Sequence, residues 1–203
     1  LRMDEALEHP QWRQLATGLR AALVASLPGA LRTLTPEDID RALYEDRSLV
    51  KQMAMRRTIF VFSRSLLPAA IAGPGERVAG QERRKTLKEL TQAGDPDAGK
   101  TLARLEELAI AALREQPLST TELRAAQPDL DVKIHVAPGT KWGGEAPIAP
   151  RLMTILSAAG KVVRGPNDGH WKRSRPRWAA MESWLGEQVV LPTPEEAYDE
   201  LVA

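Results

Sequence analysis

The residues of this chain that could bind a charged partner are concentrated between positions 160 and 178. Two short runs that can pair as strands flank the sequence GPNDG at 165–169, whose residue types suit tight or left-handed turns. The predicted hairpin carries six cations and one anion: Lys161, Arg164, Lys172, Arg173, Arg175, Arg177 and Asp168. Lysine and arginine neutralise backbone phosphates, so a polyanion is the partner that this pattern indicates.

Two aromatic rings lie among these cations. His170 and Trp171 stand directly before Lys172, and a flat ring there could stack on an exposed base. A tryptophan in this position can equally pack against its own domain. The sequence favours packing for Trp171 and nucleic acid for the cations.

Arg56 and Arg57 form a second cationic site. The residues that follow, TIFVF at 58–62, are β-branched and aromatic, which is typical of a strand. A helix followed by a strand, with cations at the junction, repeats the arrangement around position 160. A phosphate role and an ion pair with Glu45 or Asp46 of the preceding helix both stay open for these arginines.

The elements that must position the basic hairpin are three helices. Residues 102–113 are amphipathic, a capping-box spacing from Ser119 to Glu122 starts a second helix, and residues 148–159 form a third that ends at Gly160. The expected core positions of the third helix are Leu152, Ile155 and Leu156, with Arg151 outside. Three helices followed by a hairpin are the order of a winged helix.

The same type of helix start occurs three times along the chain. Thr35, Ser119 and Thr193 are each followed, three residues later, by an acidic residue. The spacing between them is that of a small helical module. We therefore expect a mainly α protein with short β-hairpins (α+β), built from tandem winged-helix domains.

The predicted domain boundaries follow from these starts. The first module spans 1–72 and is incomplete at its N-terminus, and a polar linker with an exposed helix at 82–90 spans 73–101. The second module spans 102–190 and includes a polar insertion at 131–145. Residues 191–203 begin a further module that the chain end truncates, so we expect a fragment of a longer protein.

Composition restricts the chemistry. Cysteine is absent and the three histidines are far apart, so the sequence supports no thiolate nucleophile, metal site or serine–histidine–aspartate order. The net charge is only +1, so affinity for nucleic acid must come from local clustering. No apolar run reaches the roughly 18 residues of a membrane span. We expect a cytoplasmic protein without a cofactor, and we assign no catalytic residue.

Several motifs stand together in one order: EDRSLV at 45–50, MRRTIFV at 55–61, VRG at 163–165, RW at 177–178 and ESWL at 182–185. In combination they resemble the bacterial winged-helix DNA-binding-domain proteins that are related to the azinomycin-resistance and crosslink-repair DNA glycosylases. The resemblance covers roughly residues 30–203.

The resemblance implies tandem winged helices that grip duplex DNA. In the glycosylase branch, a Gln-x-Gln or Gln-x-Asp motif near the N-terminus places the water that releases an alkylated base. This sequence departs from that pattern, because Gln11 and Gln14 have a different spacing. Family chains also continue into a further winged helix and a β-rich part.

Our first functional hypothesis is a protein that binds duplex DNA, with a connection to DNA repair. The predicted DNA-binding residues are Arg56, Arg57, Arg151, Lys161, Arg164, His170, Lys172, Arg173 and Arg175. The alternatives are a monofunctional DNA glycosylase for alkylated or crosslinked bases and a winged-helix module that binds proteins. The last would show an apolar outer face on residues 148–159. The lesion and the oligomeric state stay open.

Overall fold

The computed structural model describes residues 35–136, 141, 143–168 and 175–202. The chain divides into two compact units, Leu1–Asp40 and Arg41–Ala203. Of the first unit the structure describes a short helix, α1 (Pro36–Asp40). Thr35 caps it, because the Thr35 hydroxyl accepts a bond from the Asp38 backbone N–H at 3.2 Å. This start is as predicted.

The second unit is built from seven further helices in its described part and three two-stranded antiparallel hairpins. The helices are α2 (Leu67–Ala70), α3 (Glu76–Gln92), α4 (Ala98–Glu115), α5 (Thr120–Ala126), α6 (Ala149–Ala158), α7 (Met181–Leu185) and α8 (Pro194–Val202). The strands are β1 (Leu49–Met53), β2 (Ile59–Ser63), β3 (Lys133–Val136), β4 (Gly144–Pro147), β5 (Val162–Asn167) and β6 (Pro176–Ala180). Short π-helical turns (Arg41–Glu45, Ile71–Gly75) and 3₁₀ turns (Met55–Arg57, Pro128–Asp131) join them. The predicted α+β class with short hairpins is confirmed.

The first hairpin corrects one sequence-based expectation. The strand predicted at 58–62 is present as β2, but the segment before it is also a strand, and Met53 pairs with Ile59. Arg56 and Arg57 therefore lie at the tip of a hairpin and not at a helix-to-strand junction. Leu49, Val50 and Met53 of β1 are buried, so tertiary packing imposes the extended conformation on a segment with weak local preference.

The second hairpin, β5–β6, is formed by the predicted strands, but the strands continue through the predicted turn. Asn167 still pairs with Pro176, past an irregularity after Arg164. The Asp168 backbone N–H donates to the Arg175 carbonyl at 2.7 Å. The predicted turn at 165–169 was wrong in position, because Gly165 is buried in the strand, where a Cβ would come 3.0 Å from the Arg177 carbonyl oxygen.

The larger hydrophobic core lies between α4, α5, α6 and the β5–β6 hairpin. Leu102, Leu105 and Leu113 of α4 face it, as the helical period predicts. Leu152, Ile155 and Leu156 of α6 do so too, and Ser119 and Glu122 form the expected capping box at α5.

Helix α3 differs from the exposed helix expected in a linker. It packs against α6, and its residues Val78, Glu82, Thr86 and Glu89 are buried. Charged residues are seldom buried without partners. The two glutamates therefore made the sequence of this helix resemble that of a solvent-exposed helix.

Gly160 ends α6 in a Schellman motif. Its φ is +65°, the Gly160 N–H donates to Ser157 and the Lys161 N–H donates to Leu156. A Cβ at Gly160 would come 2.5 Å from Cδ1 of Ile71. Glycine is thus required twice here, by backbone conformation and by the close approach of Ile71.

A second core lies on the other face of β5–β6. Val163 and Ala179 point into it, while Val162 and Ala180 point into the first core. This alternation follows from the two-residue period of a strand. The hairpin that carries the basic residues is therefore fixed from both sides at its base.

The hairpin β3–β4, which lies between the two basic hairpins in sequence, was not predicted. β3 and β4 pair within the segment taken as a polar insertion, with Lys133 opposite Pro147 and Ile134 opposite Ala146. Ile134 is fully buried. Val132, Ile134 and Val136 alternate with polar residues, which is the pattern of a strand, but the segment was interpreted from its overall polarity.

Candidate nucleic-acid interface

The tip of the first hairpin exposes two consecutive arginines. Arg56 and Arg57 both have positive φ angles, 55° and 58°, a conformation that L-residues other than glycine seldom adopt. Both side chains are exposed. Within the described ranges Arg56 has no ion-pair partner, so its charge is available to an external anion.

Arg57 has a partner that the sequence did not indicate. Its Nη1 lies 3.3 Å from Oε1 of Glu82, whose side chain is 9% exposed. The expected alternatives were Glu45 and Asp46 of the preceding helix. The actual partner is on α3, which follows the hairpin, because α3 packs beside the tip.

Three cations of the second hairpin are described: Lys161 lies before β5 at the base, Arg164 lies in β5, and Arg175 lies before β6 at the end far from the base. Lys161 and Arg175 are exposed, and in the described part of the chain neither has an ion-pair partner. His170, Trp171, Lys172 and Arg173 lie outside the described residues. Of the described cations, Arg175 stands next to the predicted tip.

Arg164 is half-buried between the two hairpins. Burial lowers the pKa of its guanidinium, and the nearby Tyr44 partly opposes this effect. Lys51 of β1 donates to the Tyr44 hydroxyl and lies 4.7 Å from the centroid of the Tyr44 ring. β1 also contacts β5, so the two basic hairpins are neighbours in the fold.

Arg177, the remaining cation of the second hairpin, is bound within the fold. Its Nη1 lies 3.2 Å from Oδ1 of Asp168, and its Nη2 lies 3.2 Å from Oε2 of Glu122. The hydrogen bonds to Asp168 are the main reason that its pKa is raised. Its Nη2 also donates to the Pro117 carbonyl at 3.0 Å. Arg177 thus fixes the hairpin to the start of α5.

Arg151, expected on the outer face of the third helix, lies against α3. Its Nη2 is 3.1 Å from Oε1 of Glu89 and its Nη1 is 3.9 Å from Oε2 of Glu82. Its side chain is only 19% exposed. Its predicted contact with DNA stays a prediction, and its surroundings give it a role in holding α6 against α3.

Helix α6 offers little surface to any partner. Seven of its residues are buried: Ala149, Leu152, Met153, Ile155, Leu156, Ser157 and Ala158. Its exposed residue is Pro150. The apolar outer face that a protein-binding module would present here is therefore not found on this helix.

Arg47 is a residue that the sequence reasoning did not single out. It has a φ of 53°, its guanidinium carbon lies 4.5 Å from the centroid of the Trp184 ring, and its Nη1 donates to the Trp184 carbonyl. The available signal was that both residues lie in the motifs that carry the family resemblance.

A cavity of about 330 Å³ lies where the end of α6 meets α4 and the segment after α7. Its charged lining residues are Arg114, Lys161 and Glu182, and Arg114 pairs with Glu182. Among the described residues there is no cluster of acidic, histidine or cysteine side chains that could hold a metal ion. Nor does any described helix combine the length and apolarity needed to cross a membrane.

Comparison with a solved structure supports the fold. The chain is similar to the DNA glycosylase AlkZ of Streptomyces sahachiroi, with a TM-score of 0.54 and 20% sequence identity. The match covers 85% of this chain and 43% of the other, so the chain spans less than half the length of that protein. At this identity the likeness concerns the fold.

Among curated proteins, a sequence search finds no match. The family model described as DNA glycosylase AlkZ-like, in contrast, matches residues 15–203, which is nearly the whole chain and includes both basic hairpins. The chain therefore belongs to the AlkZ-like DNA glycosylase family.

Proposed function

We propose that the chain is part of a DNA-repair glycosylase and that its two basic hairpins hold duplex DNA. The observation that carries this proposal is that the two hairpins are neighbours in the fold, because β1, which carries Lys51, contacts β5, which carries Arg164. The strands β1 and β5, which are more than a hundred residues apart in sequence, therefore carry their cations side by side. The family membership supplies the nucleic acid as the polyanion.

Within this proposal the hairpins make the phosphate contacts. Arg56, Lys161 and Arg175 are exposed, and the remaining predicted contacts are Arg57, Arg164, His170, Lys172 and Arg173. Arg151 contributes indirectly, through the packing of α6 on α3. Helix α6 is too deeply buried to lie in a DNA groove as a recognition helix does.

The tandem winged-helix arrangement belongs to the same proposal, with modules at 1–72 and 102–190 and a further one starting at 191. A contact between β1 and the end of α6 supports this arrangement. Gln52 of β1 is fully buried, and its Nε2 donates to the Ser157 and Ala158 carbonyls at the end of α6, at 2.7 and 3.1 Å. A polar side chain that satisfies the end of a helix in the other module gives the two modules a defined orientation.

The reaction that we propose is excision of an alkylated or crosslinked base. It rests on the family and on the fold that the chain shares with AlkZ. The motif that the resemblance implies belongs to the N-terminal part, where Gln11 and Gln14 lie outside the described residues. The described residues support the proposed DNA contacts, and family membership supports the proposed chemistry.

The affinity for duplex DNA, measured over a series of salt concentrations, tests the proposed phosphate contacts. The variant Lys172→Ala with Arg173→Ala should reduce the salt slope by about 2, one unit for each lost phosphate contact. Arg84→Ala with Lys85→Ala is the matched control, since it removes two adjacent exposed cations from α3. Equal losses in both variants, or none in the first, would refute the hairpin assignment.

An abasic-site assay with the full-length protein on alkylated and crosslinked duplexes tests the reaction. We expect strand cleavage at the lesion only after alkaline or amine treatment, since a monofunctional glycosylase leaves the abasic sugar intact. Absence of product over a broad panel of lesions would leave a DNA-binding protein without this activity.

A further inference from the structure

The tip of the first hairpin, Met55–Arg57, is a strained and exposed turn. Arg56 has φ 55° and ψ 28°, and Arg57 has φ 58°. In this left-handed region the Cβ of an L-residue approaches the following carbonyl oxygen, so two such residues in succession are unfavourable. Positive φ at both central residues is what a two-residue hairpin turn of type I′ requires, and the unusual feature here is that both positions are arginine and not asparagine or glycine.

Three contacts hold the tip in this shape. The Thr58 N–H donates to the Met55 carbonyl and the Ala54 N–H donates to the Thr58 carbonyl, both at 3.0 Å. Arg57 is tied to Glu82 of α3 at 3.3 Å. Ala54, at the base of the turn, is fully buried. The tip is therefore a rigid projection on a buried base.

This projection presents an apolar side chain beside a cation. Met55 is 54% exposed, one of five large apolar residues that the described part of the chain leaves exposed. Single exposed apolar residues are ordinary on protein surfaces. Met55 differs because the strained turn that follows it places it at the end of a hairpin, next to the exposed Arg56.

We propose that Met55 is a wedge that enters the minor groove and separates two stacked base pairs, while Arg56 contacts the adjoining backbone. Apolar side chains such as methionine insert between base steps in this way and unstack them. An enzyme that acts on a base within a duplex must first break the stacking of that base. A rigid apolar tip flanked by a cation has the chemistry for this step.

This inference rests on the proposed function, because it requires that the hairpin reaches duplex DNA. Fluorescence of a 2-aminopurine base in a duplex, which rises when the base is unstacked, tests it with the full-length protein. We expect a rise on binding of the parent protein that falls by at least half for Met55→Ala and is retained by Met55→Leu. Val190→Ala, at a residue that is 84% exposed, is the matched control and should keep the full rise.

The outcomes separate the two proposals. If the parent protein binds duplex but gives no fluorescence change, or if Met55→Ala keeps the whole rise, the wedge is refuted and the DNA grip stands. If the parent protein shows no salt-dependent duplex binding, the proposed function fails and the wedge fails with it. Equal thermal unfolding of Met55→Ala and the parent would establish that the change is local.

Discussion

Arg47 and Trp184 join two parts of the chain that are 137 residues apart. The central carbon of the Arg47 guanidinium lies 4.5 Å from the centroid of the Trp184 ring, and Nη1 also donates to the Trp184 carbonyl. Arginine can stack and donate at once because its guanidinium is planar, which a lysine ammonium is not. The contact joins the segment before β1 to α7.

Replacement of Arg47 tests this junction. We expect Arg47→Ala to lower the free energy of unfolding by about 2 kcal/mol, since both the ring contact and the charged hydrogen bond are lost. Arg47→Lys should recover only a part, although it keeps the charge and the same left-handed backbone. Urea unfolding measures both variants, and equal stability of Arg47→Lys and the parent would contradict the stacking argument.

Arg56 should show opposite effects on stability and on binding. Arg56→Gly removes the steric conflict at φ 55°, so we expect the free energy of unfolding to rise by up to about 1 kcal/mol, less the entropy that glycine adds to the unfolded chain. The same change removes a phosphate contact and should reduce the salt slope of duplex binding by about 1. Arg56→Asn is the control, because asparagine tolerates the left-handed region and also lacks the charge. A variant that gained stability and kept the full slope would remove Arg56 from the interface.

Arg151 should prove to be a structural residue. Its removal takes from the buried Glu89 its partner at 3.1 Å and leaves Glu82 with Arg57 alone, so we expect Arg151→Met to lower the free energy of unfolding by about 3 kcal/mol. At temperatures where the variant is folded, the salt slope of duplex binding should match that of the parent protein. A slope reduced by about 1 would restore Arg151 to the set of direct phosphate contacts.

The capping boxes should make stability depend on acid pH. The hydrogen bond from the Ser119 backbone holds the pKa of Glu122 below its ordinary value of 4.5, and Thr193 does the same to the pKa of Glu196. A carboxyl whose pKa is lower in the folded state stabilises the fold at neutral pH, and this contribution is lost as the pH falls below 4.5 towards the folded pKa.

Glu122→Gln and Glu196→Gln isolate that dependence. Glutamine can keep the reciprocal bond of a capping box but does not titrate. We expect the stability difference between parent and double variant to be largest at neutral pH and to shrink in acid, as measured by urea unfolding at several pH values. A difference that stays constant with pH would show that the carboxylate charge contributes nothing.

The sequence alone determined the parts of this protein that depend on neighbouring residues. The capped starts at Thr35, Ser119 and Thr193, the core stripe of α4 and the stop at Gly160 are all present as predicted. Each is specified within one or two helical turns, by a side chain that meets a backbone group or by a 3.6-residue period. The pairing of β5 with β6 was equally readable, although the position of its turn was not.

Only the tertiary structure decided which charges are available. Arg151, Arg57 and Arg177 look alike in sequence, yet Arg151 is bound to Glu89, Arg57 to Glu82 and Arg177 to Asp168. These partners come from elements that approach one another only in the folded chain, and the burial of Glu82 and Glu89 is set by the packing of α3 on α6. In the β5–β6 hairpin Lys161 and Arg175 are exposed while Arg177 is bound, a difference that is set by contacts made only in the folded chain.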